Sequence, residues 1–154
     1  MKVLIVFDSV SPAKLTAKVA ETVGAVLKEN AVDFASFSVN DVDMSKVKDY
    51  DCLLVGGPTM YFRISRGASQ FLDGLTKDSS SGKLAAAFDT QSQSRMSGNA
   101  AKAIDGRLQK LGFKAIAAPL VVYVEGKINQ QNLKEGELEK TKKWTQEVAK
   151  ALPK

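Results

Sequence analysis

Residues 3–7, Val3-Leu4-Ile5-Val6-Phe7, form an unbroken apolar run that stops abruptly at Asp8. An amphipathic strand with one face in water would alternate; a run without polar interruption suits a strand buried on both faces, as at the centre of a parallel sheet. Immediately after it, residues 16–28 (TAKVAETVGAVLK) place Val19, Val23, Val26 and Leu27 at helical spacing with polar residues between them. A buried strand feeding an amphipathic helix is the first unit of an alternating α/β chain.

The alternation continues. Residues 33–39 (DFASFSV) read as an edge strand, 41–49 as a charged stretch with a short helix, and 51–55 (DCLLV) as a third strand ending in a turn at Gly56-Gly57. Residues 65–76 read as a helix with Phe71, Leu72 and Leu75 inward, and 78–82 as a polar connector. Leu84 to Phe88 is a fourth strand and Asp89 to Gly98 a polar loop. Residues 99–111 form a helix, 114–124 a strand broken by Pro119, and 136–152 a closing helix. Right-handed crossovers leave few arrangements, and five strands in this length suit an α/β, three-layer, doubly wound parallel sheet in the order 2-1-3-4-5. A chain of 154 residues with 44% hydrophobic residues is sized for one domain over residues 1–154.

Composition narrows the chemistry. The chain has no histidine and one cysteine, Cys52. Histidine-activated nucleophiles and most zinc sites are excluded, as is an intrachain disulfide. No run approaches the ~20 apolar residues of a membrane helix. The short N-terminal run with a single lysine does not read as a secretory signal, so a cytoplasmic protein without membrane insertion is expected. The net charge of +5 is compatible with nucleic acid, an anionic ligand or an acidic protein. The lysines are spread along helices rather than clustered with aromatics, which argues against nucleic acid.

In doubly wound sheets ligands lie beyond the carboxyl ends of the strands, near the switch between strands one and three. Three loops fall there. The first, Asp8 to Thr16, offers Ser9, Ser11, Lys14 and Thr16 at a helix start, where a phosphate could sit; the same hydroxyls could equally cap the helix. The second, Gly56 to Arg66, sets Tyr61 and Phe62 beside Arg63 and Arg66, suited to stacking a flat heterocycle or simply to packing on the next helix. The third, Asp89 to Gly98, is dense in donors and acceptors that could read a polar ring edge, or form a solvated connector.

On these segments the chain resembles the flavodoxin family, over nearly its whole length. VLIVFDS with its Ser/Thr-rich loop resembles the family's phosphate-loop start, and GGPT with a helix ending in FLDGL resembles its strand-three segment. FDT with a polar loop, SGNAAKAI and LQKLGF resembles its fourth strand and helix, and GELEKTKKW its closing helix. The resemblance implies noncovalent FMN, with cofactor-binding residues Ser9, Ser11, Pro12, Ala13, Lys14, Leu15 and Thr16 in the first loop. It likewise implies Pro58, Thr59, Met60, Tyr61, Phe62 and Arg63 in the second, and Asp89, Thr90, Gln91, Ser92 and Gly98 in the third. It implies a flavodoxin, a monomer or weak dimer shuttling low-potential electrons between redox proteins such as iron–sulfur proteins or ferredoxin-linked reductases, with no catalytic side chain. The alternative of the same fold is a flavin-dependent NAD(P)H or quinone reductase. A phosphorylated receiver domain shares the strand order but needs an aspartate ending strand three, where this chain has Gly56-Gly57.

The chain departs from the family in three respects. Its first loop, Ser11-Pro12-Ala13-Lys14-Leu15-Thr16, is about two residues longer than the common Thr-Gly-Asn-Thr type and lacks glycine; residues 90–98 contain no aromatic; and the chain is basic where well-known flavodoxins are acidic. If Arg63, Arg66 and Arg95 lie near the ring, each at ~6 Å would stabilise an anionic reduced flavin by about 2–3 kcal/mol, around 100 mV for one electron.

Overall fold

The computed structural model describes residues 1–10, 12–60, 62–93, 98–127 and 130–153. Its elements are β1 (Lys2–Phe7), α1 (Leu15–Glu29), β2 (Asp33–Ser38), a 3-10 helix (Met44–Asp49), β3 (Cys52–Met60), β4 (Arg63–Ile64), α2 (Arg66–Asp73) and α3 (Lys77–Ser80). They continue with β5 (Leu84–Ser92), α4 (Ala100–Lys110), β6 (Lys114–Ala115), β7 (Leu120–Glu125), β8 (Asn132–Leu133) and α5 (Glu137–Ala151).

The sheet runs β2-β1-β3-β5-β7-β8, so its five principal strands take the expected 2-1-3-4-5 order, all parallel. Two short strands, β4 and β8, go beyond that expectation, while β6 is the leading part of the expected strand over 114–124. β4 folds back antiparallel on β3, β6 extends the pairing of β5 at Leu84 and Ala85, and β8 runs antiparallel against the last two residues of β7. Pro119 falls between β6 and β7, the break anticipated within the fifth strand.

Alternate residues of each central strand feed two cores. Val3, Ile5, Cys52, Leu54, Ala86 and Phe88 face α1 and α5 and meet Val19, Val23, Leu27 and Val148. Leu4, Val6, Leu53, Val55, Ala85 and Ala87 point the other way, to Phe71, Leu72, Ile104 and Leu108 of α2 and α4. The continuous apolar run of β1 is therefore two interleaved faces, both dry. Burial at the sheet's centre also pushes the Cys52 thiol up to about 12, with Asp51 adding to the effect.

Three extents differ from the sequence expectation. β3 continues through Gly56, Gly57, Pro58 and Thr59 instead of turning at the glycines, in register with Phe88, Asp89 and Thr90 of β5. Gly56 is required there because the Phe88 ring lies across it: a Cβ would stand 2.0 Å from Cε2. β5 correspondingly runs to Ser92, so Asp89 to Ser92 are strand rather than loop. The polar connector after α2 contains a turn of helix, α3, fixed where the buried Ser80 hydroxyl donates to Leu111 O at 2.6 Å and Thr76 O at 3.0 Å.

Candidate functional site

The carboxyl ends of β1, β3 and β5 meet where the direction of winding reverses, and each delivers a polar group to the junction. Asp8, just past β1, is buried and accepts from the Ser65 hydroxyl at 2.7 Å, which ties the first loop to the start of α2. Its backbone N–H donates to Gly56 O at 3.0 Å. Helix α1 then begins after Lys14, which adopts left-handed φ 53° and ψ 42° and offers no side-chain cap. Ser9 takes that place from a distance: its hydroxyl accepts from Ala17 N–H at 3.2 Å, while Lys14 Nζ donates to Ser9 O at 2.9 Å. The N–H groups of Leu15 and Thr16 have no acceptor among the described residues, so the positive end of α1 stays open.

The Thr16 hydroxyl is buried and lies 2.8 Å from that of Thr90, locking α1 to the end of β5. One residue earlier in β5, Asp89 is fully buried and is a structural hub. Its Oδ2 accepts from Thr59 Oγ1 (3.1 Å), Gln91 Nε2 (2.7 Å) and Ala101 N–H (3.1 Å), joining β3, β5 and the first turn of α4. The Thr59 hydroxyl in turn accepts from Ala100 N–H at 2.9 Å. Asp89 Oδ1 has no hydrogen bond of normal geometry, although the Val122 backbone N–H acts on the carboxylate electrostatically. Burial outweighs these donors and raises the Asp89 carboxyl above the ordinary carboxylate value.

Between these ends lies a cavity of about 140 Å³ walled by Val10, Leu15, Pro58, Thr59, Met60, Thr90, Gln91, Ser92, Val124 and Gln131. The sequence-based set thus converges in Leu15, Pro58, Thr59, Met60, Thr90, Gln91 and Ser92. Thr16 stands directly behind, and Ser9 and Lys14 sit at the mouth of α1. Pro12 and Ala13 are exposed on the loop. Ser11, Tyr61 and Arg95 lie outside the described residues. Asp89 is a buried anchor beneath the cavity rather than part of its wall. Phe62 is 60% exposed at φ 71°, strained for a residue with a side chain. Gly98, at φ +77°, presses against it, and a Cβ there would fall 2.6 Å from Phe62 Cα.

Arg63 and Arg66 point elsewhere. They line a larger open groove of about 730 Å³ beside α2, which shares only Val10 and Met60 with the strand-end cavity. Val10, Val124 and Gln131 were missing from the sequence-based set. Val10 lay inside the first loop, and Val124 at the carboxyl end of the fifth principal strand, where the strand-end rule would have found it. Nothing in the sequence pointed to Gln131.

A family model described as flavodoxin matches residues 10–144, and the chain belongs to the flavodoxin family. No curated protein matches it. Among solved structures it is similar to a flavodoxin from the domain Archaea, at 23% identity and TM-score 0.81, with 97% of each chain covered. It is similar also to oxidised flavodoxin 2 from Bacillus cereus, at 18% identity and TM-score 0.82 over 99% of this chain and all of that one. The same fold spans 35% of the rubredoxin oxygen:oxidoreductase of Desulfovibrio gigas, at 21% identity and TM-score 0.78 over 97% of this chain. At these identities the structural likeness establishes the fold.

The residues present suit a phosphorylated flat heterocycle. The open amides of α1, with Lys14 and two hydroxyls beside them, match a phosphate. At 140 Å³ the cavity is smaller than the roughly 300–1,000 Å³ of sites that enclose a ligand. It admits an edge, and exposed Val10, Met60 and Phe62 supply apolar surface outside it.

Proposed function

We propose that the protein binds FMN noncovalently at the ends of β1, β3 and β5 and carries low-potential electrons between redox proteins as a flavodoxin. The observation that carries this reading is the start of α1. Two backbone N–H groups without acceptors among the described residues, Lys14, and the Ser9 and Thr16 hydroxyls converge beside a cavity with apolar and amide walls.

Ser9, Lys14, Thr16 and the Leu15 and Thr16 amides would hold the phosphate. Leu15, Val10, Pro58 and Met60 supply apolar contact, while Gln91, Ser92 and Thr59 supply polar groups for a ring edge. When bound, FMN supplies the redox chemistry. The chain contributes binding, orientation and shielding from water. The described lining is aliphatic, hydroxyl and amide, which supports an electron carrier over an enzyme that moves protons with its own side chains. We place it among cytoplasmic carriers that act as a monomer or weak dimer, with iron–sulfur proteins or ferredoxin-linked reductases as partners. A flavin-dependent NAD(P)H or quinone reductase is the rival reading.

The test is an absorption spectrum after adding FMN and desalting. Retained flavin bands at one per chain are expected, and a colourless protein would refute the proposal. Bleaching of the bound flavin by NAD(P)H alone would favour the reductase.

A further inference from the structure

We propose that the groove beside the first half of α2 is a docking surface for an acidic protein. This rests on the FMN reading for the partner's purpose, a redox exchange, but not for the surface itself.

Arg63 and Arg66 line the groove with Val10, Met60, Ile64 and Gln70, and among the described residues its lining contains no carboxylate. Neither arginine side chain makes an ion pair or hydrogen bond among the described residues. Arg107, by contrast, is used within the fold, donating to Asp73 at 2.5 Å and to the Ser69 hydroxyl at 2.8 Å. The carboxylate of Asp8 lies buried beneath the groove, against Gly67, and is engaged by Ser65. Two positive charges therefore face outward without compensation.

They surround apolar surface. Val10 is 48% exposed, Met60 38% and neighbouring Phe62 60%, three of the six large exposed hydrophobics among the described residues. Apolar centres with arginine at the rim are the composition of protein interfaces. Charge complementarity selects an acidic partner, which the excess positive charge also steers into encounter.

The other large groove, between β7 and α5, provides the contrast. Of its three lysines, Lys140 and Lys150 are paired with Glu137 and Glu147 at 2.5 and 3.6 Å, leaving only Lys143 without an ion pair among the described residues. Because Val10 and Met60 wall both the arginine groove and the strand-end cavity, a protein seated in the groove stands against the proposed cofactor site.

The experiment uses an acidic [2Fe–2S] ferredoxin as probe. Its affinity for the full chain is measured at low and high salt, with and without FMN, beside FMN retention for every variant. Arg63→Glu/Arg66→Glu is compared with Lys143→Glu/Lys150→Glu, which removes the same charge from the opposite groove; Arg66→Gln gives a milder third variant. Expected are salt-sensitive binding by the native chain, a loss of about tenfold or more on reversing the arginines, a smaller loss for Arg66→Gln, and a change within about twofold for the lysine pair. No binding, or equal losses for both double variants, would overturn the docking surface. So would displacement of the ferredoxin by millimolar 2′,5′-ADP, which would make the groove a nucleotide site. Groove-dependent ferredoxin binding by a chain that never retains FMN would overturn only the proposed function. FMN retention with binding indifferent to the arginines would overturn only the docking surface.

Discussion

Replacing Gly56 by alanine tests how β3 and β5 are seated, and hence how the ligand-facing ends beyond them are held. The new methyl carbon would stand 2.0 Å from Phe88 Cε2 and 2.3 Å from Cδ2 and Cζ, whereas ordinary contact begins at 3.4 Å. The ring would have to withdraw by about 1.4 Å. Phe88 is fully buried and meets Trp144 edge-on at 6.3 Å between centroids, so the space behind it is filled. Overpacking of this kind costs about 1–3 kcal/mol, and contact with three ring atoms puts Gly56→Ala at the upper end. For a chain of this size ~3 kcal/mol lowers Tm by roughly 6–12 °C. Thermal unfolding followed by circular dichroism measures it. Phe88→Ala alone should cost about 3–5 kcal/mol through its cavity, but in Gly56→Ala/Phe88→Ala the added methyl enters that cavity. The double variant should therefore lose at least ~1 kcal/mol less than the two single losses together. A Gly56→Ala protein melting within about 2 °C of the native chain, or strict additivity, would refute the reasoning.

Three further outcomes are expected. Thr16→Val strands the Thr90 hydroxyl and should cost about 1–3 kcal/mol in denaturant titrations, while Thr16→Val/Thr90→Val, with neither partner stranded, should cost less than the single losses combined. Lys14→Ala should weaken FMN about tenfold in fluorescence titrations yet leave riboflavin, which lacks the phosphate, nearly unchanged; equal losses for both would remove Lys14 from the phosphate site. For Asp89, burial raises the folded-state carboxyl above its unfolded value near 3.8, so the stability it contributes is present at acid pH and lost as pH rises through the folded value. Chemical denaturation at pH 4 and pH 7.5 should show the balance moving toward Asp89→Asn at the higher pH, and movement the other way would contradict the sign.

The fold was legible because its signals are collective. Five apolar runs alternating with amphipathic helices leave few sheet orders, of which 2-1-3-4-5 suited the length, and Pro119 marked the break before β7. What escaped was structure held by pairing rather than by hydrophobicity. Gly56-Gly57-Pro58-Thr59 and Asp89-Thr90-Gln91-Ser92 look like turns by composition, yet they are the matched ends of neighbouring central strands. The two-residue strands β4 and β8 are too short for any periodicity to show. In the candidate site, loop position in the sequence already pointed to the hydroxyl and amide residues that the structure gathers at the strand ends. The role of Asp89 was not, because nothing local distinguishes an exposed ligand-facing aspartate from one receiving Thr59, Gln91 and the start of α4.

Cys52 gives the protein a built-in clock. Its sulfur sits in the middle strand, 1% exposed, with its proton held to about pH 12. At neutral pH a disulfide reagent thus meets almost no thiolate in the closed molecule. Labelling waits until β3 parts from its neighbours, an event close to global unfolding. One reaction per chain, without an engineered probe, then reports how often the sheet opens, and any ligand that grips the folded state would slow that count in proportion to its hold.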